Sequence, residues 1–167
     1  MKLFAIHPVQ VGNGTVSLSP LPGRAGNYRQ DFHIIRDWQP DLVISMTTEG
    51  EMLQEGAAGF GDDLRAAAIG WAHLPVTDFG APPPEVQAAW PEVSAAAAQI
   101  LAGAGRVLVH CRGGCGRSGM VALRLMIEHG ERPEAALKRL RAVRPCAVET
   151  YGQFDWAAQA TSTRRDS

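Results

Sequence analysis

Little in this sequence suits a nucleic acid, a membrane or a metal. Its 16 basic and 17 acidic residues leave a formal net charge of −1, so no global field points to nucleic acid or anionic lipid as a partner. No apolar run approaches the roughly 20 residues that a membrane span needs. The opening Met-Lys-Leu-Phe-Ala-Ile-His-Pro is too short and too soon broken for a signal peptide. Three cysteines, an odd number, argue against a disulfide framework and suit a reducing, cytoplasmic compartment. His7, His33, His73, His110 and His129 are scattered without ligand spacing, so no metal and no other cofactor is expected. No internal repeat or long linker divides the chain, and low complexity is confined to Pro82-Pro83-Pro84, the alanine run 95–98 and a polar tail.

What is present fits one globular domain. A length of 167 residues with 46% hydrophobic and 20% charged content is enough for a core without disulfides or metals. Short strands are predicted over 2–6, 14–19, 41–46, 69–74 and 106–110. Helices are predicted over 27–38 (with Asn27 as its cap), 60–67, 85–102, 117–129, 133–143 and 150–160. That alternation implies a single α/β domain, with a largely parallel sheet of about five strands covered by helices on both faces. Residues 1–160 form the expected domain, and 161–167 a frayed tail.

The chemistry concentrates at 106–118. In open α/β sheets ligands collect where strands lead into helix N-termini, and Cys111 stands there, directly after Val109 and His110. Arg112, Gly113, Gly114, Cys115 and Gly116 form the turn, whose glycines let backbone amides converge. The following helix start adds unpaired N–H groups and the positive end of its dipole. Such a cup suits a tetrahedral oxyanion and favours Cys111 as a thiolate. Arg117 adds a fork of donors for two phosphoryl oxygens. Ser118 is placed to hydrogen-bond the sulfur as well as to serve the helix start. His110 is expected to be buried and to orient the loop.

His-Cys-Arg-Gly-Gly-Cys-Gly-Arg-Ser-Gly, residues 110–119, resembles the Cys-x5-Arg-Ser/Thr signature of protein tyrosine and dual-specificity phosphatases. Over about residues 14–155 the chain is most similar to the kinase-associated phosphatase branch and its bacterial relatives. The similarity includes Leu21-Pro-Gly23, Glu49 and Glu51 after Ser45-Met46, His73-Leu-Pro-Val-Thr-Asp78, Arg144-Pro145, Glu149-Thr150 and Gln153. It implies hydrolysis of phosphomonoesters on protein Tyr, and on Ser or Thr, through a phosphocysteine. The expected partners are therefore a phosphorylated protein or peptide and a phosphate- or sulfate-like anion.

A leaving oxygen needs a proton donor on a segment able to close over the site. Asp78 follows a predicted strand and precedes Phe79-Gly80-Ala81-Pro82, and the resembled family uses its equivalent as general acid. The alternative is a turn-opening aspartate; Asp62 and Asp63, more suited to a helix start, are the fallbacks. By resemblance Gln153 positions the hydrolytic water, against a plain solvated role. Cys115 departs from the family's usual residue and raises a reversible Cys111–Cys115 disulfide, although the width of the cup opposes it; Cys146 is expected to be inert. Within the loop only Arg112 adds charge, which weighs against polyphosphorylated lipid or inositol substrates. Two other readings remain: a rhodanese-type sulfurtransferase, and a phosphate-binding module without turnover.

Overall fold

The computed structural model describes residues 3–160, so the tail expected at 161–167 lies outside the described residues. Five strands, β1 (His7–Val11), β2 (Gly14–Ser19), β3 (Leu42–Ser45), β4 (Gly70–His73) and β5 (Arg106–His110), form one sheet in the order β1-β2-β5-β3-β4. Only the β1–β2 pair is antiparallel; β2–β5, β5–β3 and β3–β4 are parallel. The α/β fold with a largely parallel sheet is as the sequence implied.

The helices divide between the faces: α1 (Tyr28–Trp38), α2 (Glu49–Gln54) and α3 (Phe60–Ala66) on one, and α4 (Pro84–Ala102), α5 (Gly116–Glu128), α6 (Pro133–Val143) and α7 (Tyr151–Ala158) on the other. Successive strand side chains point to opposite faces, and β5 shows what that does here. Val107 and Val109 join the core with Met120, Leu123 and Leu101, while Leu108 joins Phe60, Leu64 and Ile35. β5 is buried on both sides and flanked by parallel neighbours. Its carboxyl end at His110 therefore opens at the centre of the sheet edge where ligands collect.

Two local expectations are corrected. The first strand is His7–Val11, not 2–6. Pro8 reads as a strand breaker, yet an edge strand tolerates it because no ladder N–H is needed there. The two-residue loop Gly12-Asn13, with Gly12 at φ 59°, then closes the hairpin to β2. Helix α2 was not anticipated. Thr48 and Glu51 make a reciprocal capping box at its start, a Thr-x-x-Glu pattern visible in the sequence. Asn27 caps α1 as expected, accepting from the Gln30 N–H at 3.1 Å. No helix among the described residues is long and apolar enough to cross a membrane.

Candidate active site

β5 delivers Cys111 to the floor of an open cavity of about 780 Å³. The side chain is buried, and its Sγ lies 3.2 Å from the Ser118 Oγ. The loop 111–115 then runs into α5, whose N-terminus carries no side-chain cap. Its first N–H groups are thus left for something other than the helix. Gly114 holds φ 73° hard against the Ser19–Pro20 backbone, where a Cβ would meet carbonyl carbon at 2.7 Å. Gly116 and Gly119 serve a different need: a Cβ on either would collide with Glu149 or with Ala147 and Val148, so the segment after α6 packs directly on the start of α5.

His110 is fully buried and fixes the floor from behind. Trp71 Nε1 donates to Ser45 Oγ at 2.8 Å, leaving the Ser45 hydroxyl to donate to His110 Nε2 at 2.5 Å. That assignment makes His110 Nδ1 the protonated nitrogen, facing the Cys111 carbonyl at 3.4 Å. Burial pushes the imidazole down to about 4, which keeps it neutral near pH 7.

Arg117 is 1% exposed, and three of its five N–H groups donate hydrogen bonds. Nη1 and Nη2 grip the two Glu51 oxygens at 2.7 and 2.8 Å, and Nη1 also donates to the Val76 carbonyl at 2.8 Å. Nη2 lies 3.3 Å from Asp78 Oδ1. Nε has no hydrogen-bond partner among the described residues. A buried N–H without a partner is costly, and an oxyanion in the cup would satisfy it. Burial opposes the charge of Glu51, but the hydrogen bonds from Arg117 and Thr48 bring its carboxyl down to about 2. Burial likewise opposes the charge of Arg117, while the Glu51 hydrogen bond foremost, with the acidic groups around it, raises its pKa above the ordinary value. Glu51 therefore caps α2 and locks Arg117 with one carboxylate.

Asp78 sits on the loop between β4 and α4, 46% exposed, with its Oδ1 accepting from the Phe79 N–H at 3.0 Å. It lines the same cavity as Cys111, Arg112, Gly113, Cys115 and Gly116. Asp62 and Asp63 do not: the first pairs with Arg65, and the second accepts from Tyr28 at 2.6 Å. Gln153 is buried, not solvated. Its Oε1 accepts from Glu149 N at 2.8 Å and closes a capping box with Thr150, while Nε2 donates to the Gly80 carbonyl at 3.2 Å. It thereby ties α7 to the loop that carries Asp78.

Two expectations fail here. Cys115 pairs with Cys146, not with Cys111, and Cys146 is not inert. The odd cysteine count is reconciled because Cys111 alone stays free. Nor is charge at the site limited to Arg112. Arg24 and Arg144, far away in sequence, line the same cavity, and burial with the Arg144 charge pushes His7 beside them below the ordinary histidine value. The argument against polyanionic substrates rested on the loop alone and does not hold for the folded site.

The family model for the Swiss Army Knife protein, DSP-PTPase phosphatase domain (PTP-SAK), matches residues 30–165. The chain belongs to this phosphatase family. Solved structures with the DSP-PTPase fold agree. A kinase associated phosphatase with its catalytic-site cysteine changed to serine superposes with a TM-score of 0.83 at 21% identity, covering 100% of this chain and 99% of that one. Tk-PTP in its active form gives 0.68 at 26% identity, covering 88% and 91%. PTPMT1 in complex with PI(5)P gives 0.74 at 19% identity, covering 95% and 97%. No curated protein matches the sequence.

Proposed function

We propose that this DSP-PTPase domain hydrolyses phosphomonoesters on proteins, at phosphotyrosine and also at phosphoserine or phosphothreonine, through a phosphocysteine. The observation that carries the reading is the free Cys111 thiol on the cavity floor, at the start of the loop that ends in the buried Arg117, whose Nε has no partner among the described residues. The phosphoryl oxygens take the loop N–H groups of 112–117 and the Arg117 fork. The Cys111 sulfur attacks phosphorus, the P–O ester bond breaks, and Asp78 gives its proton to the leaving oxygen. The anion takes Nη2 as well as Nε, so Asp78 is released from Arg117 and is free to carry that proton. Water then attacks the phosphocysteine, its proton passes to Asp78, and phosphate leaves with the thiolate restored. Ser118 stabilises the departing sulfur at 3.2 Å. Gln153, whose Nε2 donates to the Gly80 carbonyl two residues after Asp78, positions that water. The changed catalytic-site cysteine of the kinase associated phosphatase fits this assignment.

A sulfurtransferase has no use for a carboxylic acid paired to the anion-binding arginine, and a pure binder has no use for a free buried thiol. Release of phosphate from para-nitrophenyl phosphate and from phosphopeptides tests the reading. Cys111→Ser is expected to abolish turnover, and Asp78→Ala to lower kcat by roughly 10²- to 10⁴-fold, most for the poorer leaving groups. An inactive wild type, or thiocyanate formation from thiosulfate, would overturn it.

A further inference from the structure

Arg144 holds the anion loop by its carbonyls. Its Nε donates to the Gly114 carbonyl at 3.1 Å and its Nη2 to the Gly113 carbonyl at 2.9 Å. In a planar trans peptide the N–H points opposite to the C=O. Holding these carbonyls therefore orients the Gly114 and Cys115 N–H groups, neither of which has a partner among the described residues.

The segment that carries Arg144 is itself held in place. Two residues further on, Cys146 is bonded to Cys115 across a sequence separation of 31, with their Cα atoms 5.1 Å apart. Arg141 holds the next carbonyls, from Nε to Ala147 at 2.9 Å and from Nη2 to Val148 at 2.7 Å. Val148, a β-branched residue, sits at φ 66°, a conformation that persists only where the surroundings impose it. The disulfide is the one covalent tie between this segment and the loop.

We propose that Arg144 and the Cys115–Cys146 disulfide form a redox-sensitive clamp that positions the anion loop, the disulfide state being the one that binds oxyanions tightly. Its effect on turnover rests on the phosphatase reading; its effect on anion affinity does not. A low-molecular-weight disulfide such as glutathione disulfide closes the clamp. One cysteine thiolate displaces a glutathione thiolate to give a mixed disulfide. The second thiolate then attacks the protein sulfur and expels the other. Two thiols are oxidised, one glutathione disulfide is reduced, and both protons end on the two glutathione thiols. While the clamp is closed Cys115 is occupied and cannot capture Cys111, so the sign of this control is activation by oxidation.

Tungstate affinity, measured by calorimetry on the full chain equilibrated in glutathione buffers of graded ratio, tests this without any turnover. A Cys111→Ser background leaves Cys115 and Cys146 as the only thiols. Reduction is expected to weaken tungstate binding about tenfold, in keeping with the net loss of about one hydrogen bond to the anion. Cys115→Ser/Cys146→Ser is expected to bind weakly in every buffer. Arg144→Ala is expected to bind weakly even when oxidised, with Arg144→Lys recovering only part because it lacks the fork. In the chain with Cys111 intact, kcat/KM on para-nitrophenyl phosphate should follow the same ratio dependence. Equal tungstate affinity in oxidised, reduced and double-serine proteins would overturn the clamp, even if the melting temperature falls. If affinity follows the clamp while no form releases phosphate, the clamp stands and the phosphatase reading falls.

Discussion

Two arginines serve the anion loop in opposite ways. Arg117 is buried, locked by both oxygens of Glu51, and its Nε has no hydrogen-bond partner among the described residues. Arg144 is part-buried and spends its Nε and Nη2 on the carbonyls of Gly113 and Gly114. In the proposed reading, one presents donors to the substrate and the other occupies acceptors so that backbone donors face the substrate. Their supports differ accordingly. Arg117 depends on a carboxylate, whose hold changes with pH, and Arg144 on a segment tied by a disulfide, whose hold changes with thiol poise.

Breaking the first support gives the largest effect. Arg117→Ala is expected to lower kcat/KM on the order of 10³-fold, as loss of preorganised oxyanion donors does. It also leaves Glu51 without its partner, at a cost of about 3 kcal/mol in denaturant unfolding. Removing the second support by Cys115→Ser/Cys146→Ser is expected to lower stability by about 3.7 kcal/mol for a loop closed over a separation of 31 while retaining measurable turnover. Comparison of the two variants in urea and in steady-state kinetics sharpens the distinction: similar losses of stability, unequal losses of rate.

The pH response separates the supports further. The folded Glu51 carboxyl lies at about 2 against an ordinary 4.5, so the stabilisation it contributes is complete above 4.5. It is lost as pH falls from there toward about 2. Glu51→Gln is expected to remove that part of the acid transition in urea melts across this range, while leaving the thiol-dependent part untouched. The smallest effect belongs to the rim. Arg24 is exposed and has no ion-pair partner among the described residues, so Arg24→Ala should raise KM for acidic phosphopeptides only two- to threefold, consistent with about 0.5 kcal/mol for an exposed charge. It should leave para-nitrophenyl phosphate unaffected.

Much of the fold was legible because burial imposes periodicity. The run Val107-Leu108-Val109 reads as a doubly covered strand, and the glycine-rich turn after it as a helix entry. β1 was misread because Pro8 breaks the pattern without breaking an edge strand. Helix α2 was missed because its Thr48-x-x-Glu51 signature lies in a segment too short for helical periodicity. In the site, Cys111 and Arg117 stood out because they share one loop with their glycines. Glu51 and Arg144 were visible only as parts of a family resemblance. For Gln153 the solvated alternative stayed open because nothing local shows that its side chain is buried and bonded to Gly80.

The sequence by itself determined the nucleophile's loop, its place at the carboxyl end of the central strand, and the distal Asp78 as a candidate proton donor. The first two are local patterns of residue type, spacing and chain direction, whereas Asp78 came mainly from the family resemblance. Only the tertiary structure decided which carboxylate holds Arg117, which thiol pairs with Cys115, and which arginines share the cavity. Those are meetings between segments 30 to 90 residues apart. Chain length sets no preference among such partners; the packing of α2, α6 and α7 around the loop does.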